Sequence, residues 1–189
     1  MAQARSMDET TVTRMFRSLE LGRNKTRNRA LFALSVYGGM RACELVGLNY
    51  ETVVNKDGSI KDVLSLKSHQ TKGDNCREVF LNKKAQRYVK DYAKTISKRD
   101  AKEPFFSPEG KLRRFTSNSM VIVFRNFFVS IGMEGYSSHS GRRSFCSNLA
   151  NKGVNIRVIQ KLSGHASLQS VQPYLDANED MVRSAVELI

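Results

Sequence analysis

Apolar residues recur at helical spacing near the N-terminus, where Val12, Met15, Phe16 and Leu19 follow Asp8 and Thr10. Either of those two polar residues can cap the helix. A second helix is predicted over residues 26–37 and ends at Gly38-Gly39, a strong stop. Arg41 then opens a short helical stretch carrying Glu44 and Leu45. Over residues 51–81 the pattern turns to short extended runs: ETVV, a turn at Lys56-Asp57-Gly58, IKDVLSL, a turn at Lys72-Gly73-Asp74-Asn75, and REVFL. These runs predict a three-stranded antiparallel sheet with Lys72 at the tip of its second hairpin.

Helical spacing returns with Ala85, Tyr88, Val89, Tyr92 and Ile96, and EPFFSPEG, with two of the three prolines, interrupts it. Met120, Val121, Phe124, Phe127, Phe128 and Ile131 form the most apolar helix, a core element. Further helices are predicted over 141–151, 156–162, 167–175 and 180–188. The fold class expected is mainly α (α+β), a helical domain with one small three-stranded antiparallel sheet inserted early.

At 189 residues and 40% apolar content the chain suits one domain over 1–189, with the polar residues 1–7 expected to be disordered. A formal net charge of +13 points to a polyanionic partner, nucleic acid before a membrane surface. Cys43, Cys76 and Cys146 are odd in number and form no CxxC pair, which argues against a disulfide framework or a cysteine-rich zinc site. No apolar run approaches a membrane span and MAQARSMDET lacks a signal-type apolar core, so a cytoplasmic, nucleoid-associated protein is expected.

Phosphate chemistry is suggested by cationic residues ending in one tyrosine: Arg41 in GGMRACEL, Lys72 in HQTKGDNCREVFL, His139 and Arg142 in SSHSGRRSF, His165 and Tyr174 in LSGHASLQSVQPYL. Arg41 follows two glycines, so its backbone can approach a ligand while its guanidinium meets two phosphate oxygens. Glu44, three residues on, can orient Arg41 or form an ordinary surface pair. His139 and Arg142 share a face on the first turn of a helix, where an anion is also favoured by the free N–H groups. Pro173 biases Gln172 away from helix and can hold Tyr174 in a preset loop.

Together these boxes resemble the tyrosine recombinase (phage integrase) family, over nearly the whole chain from about Thr10 onward and in the expected order. The resemblance rests on Gly-Met-Arg-x-x-Glu-Leu at Arg41, on His-x-x-Arg at His139 and Arg142, and on Gly-His nine residues before Tyr174. It implies that Arg41 and Arg142 grip a scissile phosphate and that Tyr174 attacks it to leave a 3′-phosphotyrosine. Lys72 would be a general acid reaching the minor groove, with Lys67 a competing assignment. His139 would carry a proton or donate a hydrogen bond, and His165 would be a supporting donor. The positive field of the arginines is expected to favour the phenolate of Tyr174. Three positions depart from the family pattern: Gly141 stands for leucine, Arg143 for histidine and Ser163 for leucine. Arg143, beside Arg142, is expected to point elsewhere and to contact the DNA backbone or serve the fold.

The resemblance further implies double-stranded DNA as partner, no metal and no cofactor, and a homotetramer on DNA. The stripe Met181, Val182, Ala185, Val186 and Leu188 would dock on a neighbouring subunit or pack in cis. No upstream core-binding domain is expected in this chain, which is read either as an excised catalytic domain or as a single-domain member like the fimbrial-type DNA invertases. A type IB topoisomerase would use nearly the same residues to relax supercoils, and a non-catalytic basic DNA-binding protein is the other rival. A zinc enzyme built on His69, His139 and His165 fits neither the usual metal spacings nor the crowd of arginines.

Overall fold

One helix, buried all round from Ala30 to Val36, organises the molecule. In α2 (Lys25–Gly38), every residue from Ala30 to Val36 is buried. It is walled in by α1 (Glu9–Leu21), α5 (Lys83–Thr95) and α7 (Ser140–Asn151). A helix enclosed on all sides needs apolar residues all round, so its apolar stripe is broad where that of α1 is narrow. The computed structural model describes residues 4–70 and 76–174, together with Arg183, Val186 and Glu187.

Asp8 is the residue that caps α1: its Oδ1 accepts the Thr11 N–H at 2.7 Å. Met7, inside the stretch expected to be disordered, is only 2% exposed. Its N–H donates to Ser144 Oγ at 2.7 Å, which ties the start of the chain to α7.

The sheet has two strands among the described residues, β1 (Val63–Leu66) and β2 (Arg77–Phe80), paired antiparallel with Leu66 opposite Arg77. The third expected strand does not form. Tyr50–Val53 is instead a single helical turn, α4, and only Val54 pairs, through one bridge to Ile60. The reason lies in competing backbone partners: the N–H groups of Tyr50 and Glu51 donate to the carbonyls of Glu103 and Ala101, and Phe105 N–H to Leu48 O. The proline-broken segment thus captures backbone that the strand would have used.

α3 (Ala42–Gly47) precedes that turn; α6 (Ser117–Val129) and α8 (Ile156–Ser163) complete the helices. The helix expected over 167–175 is replaced by two 3₁₀ turns, Leu168–Ser170 and Gln172–Tyr174, consistent with a proline that supplies no N–H at position 173. The hairpin tip with Lys72 lies outside the described residues. So does most of the expected terminal helix, including Met181, Val182, Ala185 and Leu188; Val186 is exposed.

The main core gathers α1, α2, α5, α6 and the sheet around Phe16, Phe32, Phe105, Phe106 and Phe128. A second, smaller cluster of Cys146, Ala150, Ile159 and Val171 joins α7 to α8 and carries Tyr174 on its flank. No described helix is long and apolar enough to cross a membrane.

Candidate active site

Two helices end side by side, and arginines fill the space between their ends. α2 closes on Gly39 at φ 62° and α8 on Gly164 at φ 65°, both in the left-handed region that glycine adopts freely. Arg142 Nη1 donates to Gly39 O at 2.8 Å, Arg41 Nη2 to Gly164 O at 3.2 Å and Arg77 Nη2 to Leu162 O at 2.9 Å. Cations at helix C-termini meet orphan carbonyls and the negative end of the dipole, so these contacts are locally favourable.

Glu44 is the hub of the arrangement. It is fully buried, not a surface residue. Its Oε1 accepts from Arg41 Nη1 at 2.9 Å, while Oε2 accepts from Arg41 N–H at 2.8 Å and from Arg77 Nη1 at 2.6 Å. Burial alone would raise its pKa. The Arg77 charge, the Arg41 N–H and the Arg41 guanidinium more than offset this and hold the carboxyl below its ordinary value.

Arg77 was not among the residues anticipated. Its signal lies in strand alternation: Arg77 and Val79 face inward in β2, while Glu78 and Phe80 face out. An inward arginine in a short strand requires a buried partner, and Glu44 is that partner. A Cβ on Gly164 would stand 2.5 Å from Arg77 Cδ, so glycine is required there for space as well as for φ.

Arg142 is 4% exposed on the first turn of α7. One terminal nitrogen holds Gly39 O; the other, Nη2, is buried and has no partner among the described residues. Burial, with Arg41 and Arg77 nearby, lowers its pKa to about 10, which leaves it a cation at neutral pH. Helix α7 sits this close because of Gly141, where a Cβ would fall 2.2 Å from Ser35 Oγ on α2. Leucine, the usual family residue there, has no room.

His165 follows the C-cap of α8. Its Nδ1 lies 2.7 Å from Ser163 Oγ, and its ring centroid is 5.8 Å from that of Tyr174. Burial first, then Arg142, Arg41 and Arg77, lowers its pKa to about 4, so the ring is neutral at pH 7. Tyr174 is half-buried, and its hydroxyl has no hydrogen-bond partner among the described residues. Burial and the nearby Cys146 raise its pKa against the pull of Arg142, Arg143 and Arg41. The expected bias toward phenolate is therefore absent in this state. Arg143, expected to point elsewhere, places its guanidinium over the Tyr174 ring, 5.4 Å from the centroid.

Arg41, His139, Arg142, Arg143, His165 and Tyr174 all line one cleft of about 390 Å³. His139, the N-cap of α7, stands exposed at its edge. A larger cleft of about 640 Å³ shares Arg41 and His165 and runs past Arg77 to Cys76, toward the hairpin. The smaller one also holds Tyr174. Lys72 lies outside the described residues; Lys67 is described and exposed at the end of β1. Among the described residues no three His, Cys, Asp or Glu side chains converge as a metal site would need.

The sequence profile of the phage integrase family matches residues 5–181. The chain belongs to the phage integrase family. Relatives include the tyrosine recombinase XerC of Treponema denticola, 31% identical over 179 residues that cover 85% of this chain and 55% of that protein. The XerC of Leptospira interrogans is 28% identical over 163 residues, covering 85% of this chain and 50% of its own. This chain thus spans about half the length of the curated relatives it matches. The fold is shared with the crystal structure of XerA recombinase, at TM-score 0.79 and 21% identity over 100% of this chain and 66% of that one. It is also shared with the site-specific recombinase XerH bound to its difH substrate, at TM-score 0.73 and 21% identity over 96% of this chain and 53% of that one. Within this phage integrase domain, Gly141 lets α7 approach α2 and Ser163 supplies a hydroxyl to His165.

Proposed function

We propose that this chain is the catalytic domain of a site-specific recombinase that cuts and rejoins double-stranded DNA through a 3′-phosphotyrosine. The observation that carries the reading is the buried Nη2 of Arg142, without a partner among the described residues, in the cleft that also holds Arg41, His139, His165 and Tyr174. A buried guanidinium nitrogen with no acceptor awaits one, and a phosphodiester oxygen is an acceptor of matching charge.

In this reading Arg41 and Arg142 hold the non-bridging oxygens, and Glu44 with Arg77 keeps Arg41 in place. Such preorganised donors oppose the charge that accumulates on phosphorus-bound oxygens; losing one typically costs about 10²–10³ in rate. Tyr174 oxygen attacks phosphorus as the P–O5′ bond breaks, with Lys72 as proton donor to the departing oxygen and His139 and His165 beside the phosphate. Bond energy is conserved in the phosphotyrosine, so rejoining to a second 5′ hydroxyl needs no nucleotide cofactor. Arg143 contacts the DNA backbone, and the C-terminal segment joins subunits in a homotetramer on DNA. The family membership and the DNA-bound state of the XerH structure support this reading.

Nicked duplexes built from repeats flanking the gene test it. The protein should form a denaturant-stable protein–DNA adduct on such substrates and exchange strands between two copies of the site. Relaxation of supercoils without any site preference would instead favour a topoisomerase-like activity.

A further inference from the structure

Ser163 is fully buried at the last position of α8, and its hydroxyl sits among four neighbours, one of them the Cys146 thiol. Ile159 O lies 2.6 Å away, Gln160 O 3.3 Å and His165 Nδ1 2.7 Å. A serine hydroxyl has one proton, and carbonyl oxygens only accept. The short contact to Ile159 O therefore uses the serine proton. The equally short contact to His165 Nδ1 is then a hydrogen bond only if Nδ1 carries a proton and donates to Oγ. A neutral imidazole protonated at Nδ1 has its lone pair at Nε2, and the His165 ring lines the cleft beside Tyr174.

We propose that Ser163 is a positioning residue that holds His165 as the Nδ1–H tautomer, so that Nε2 meets the cleft as a proton acceptor for the Tyr174 phenol. The step rests on the proposed strand-cutting reaction. The phenolic O–H bond breaks and an Nε2–H bond forms. The phenolate oxygen bonds phosphorus as P–O5′ breaks, and the 5′ oxygen takes its proton from the general acid assigned above to Lys72. The resulting imidazolium, protonated at both nitrogens, then donates to a phosphate oxygen, and it returns its proton to the tyrosine when the strand is rejoined. Neutrality of the resting ring is secured by its surroundings. Arg41 ahead of α3, Arg77 from β2 and Arg142 from α7 face it with positive charge, Glu44 from α3 opposes them, and the Tyr174 ring lies beside it. The family's usual leucine at position 163 offers no such acceptor, so this device belongs to the present sequence.

The ring ¹⁵N shifts of His165 in the whole, DNA-free protein at pH 7 test the tautomer without any need for activity. Nδ1 is expected at a protonated, pyrrole-type shift and Nε2 at an unprotonated, pyridine-type shift. In Ser163→Ala the ring should move toward the Nε2–H tautomer. Single-turnover cleavage should then fall by about 10²-fold with DNA affinity unchanged and its dependence on pH altered, and Ser163→Thr should restore both shift and rate. A wild-type ring protonated at Nε2 would overturn the proposal, as would wild-type cleavage in Ser163→Ala. Absence of any adduct with the expected tautomer intact would count against the strand-cutting reading instead.

Discussion

Arg77 Nη1 lies 2.6 Å from Glu44 Oε2 with both side chains buried, and the pair joins strand β2 to the arginine that opens α3. Because Glu44 also serves Arg41, its removal leaves two cations without their counter-ion. Breaking a buried pair by removing one partner typically costs about 3–5 kcal/mol. Glu44→Ala should lose that much in urea unfolding. Arg77→Met should lose less, because Arg41 still neutralises the carboxylate and the methionine fills the space. Equal losses in the two variants would contradict this hierarchy.

Gly141 sets how closely the Arg142 helix approaches α2. Gly141→Ala should destabilise by about 1–3 kcal/mol, the usual range for overpacking. Trimming the opposing hydroxyl in Ser35→Ala/Gly141→Ala should recover part of the loss, since the nearest contact is to Ser35 Oγ. Thermal or urea unfolding of the two variants decides it, and an additive double variant would refute the proposed clash.

The pH dependence has a defined sign. His165 titrates at about 4 in the folded chain against an ordinary value of 6.5, so below 6.5 the unfolded state binds more protons. Stability should therefore rise with pH across that window, and His165→Asn should flatten the rise. Glu44 adds acid lability of its own: with its folded pKa depressed, the stability it confers is kept above its ordinary value and lost as pH falls through the folded one. NMR titration of the imidazole gives the direct check, and a midpoint near 6.5 in the free protein would contradict the burial assigned to this ring.

Salt dependence distinguishes the two roles considered for Arg143. Each phosphate neutralised contributes about −0.9 to the slope of log K against log salt on duplex DNA. Arg143→Ala should make the slope shallower by about one unit if the guanidinium contacts the backbone. An unchanged slope would assign Arg143 to its contact with the Tyr174 ring alone.

Much of the site is legible in the sequence because its marks are local. The Gly38-Gly39 stop, the His-x-x-Arg turn and the Gly-His that ends α8 are short-range signals, and each stands where the spacing placed it. What the sequence hides is set by distant partners. Glu51–Val54 reads as a strand until the carbonyls of Ala101 and Glu103 claim the N–H groups of Glu51 and of Tyr50 before it. Arg77 reads as an ordinary charged strand residue until Glu44 is found buried beneath it. The raised pKa of Tyr174 depends on burial against Cys146 and Val171, which no count of nearby arginines reveals. Ser163 appears as a family departure in the sequence, and only its distance to Nδ1 gives it a chemical meaning.

The Tyr174 oxygen is the atom proposed to bond phosphorus. Proteolysis of the covalent complex formed on a nicked substrate, followed by mass spectrometry of the nucleotide-bearing peptide, reads that atom's residue directly. The modified peptide should contain Tyr174 as its linked residue, and Tyr174→Phe should give no adduct while binding DNA as the wild type does. A nucleotide linked to any other side chain, or an adduct that survives in Tyr174→Phe, would contradict it.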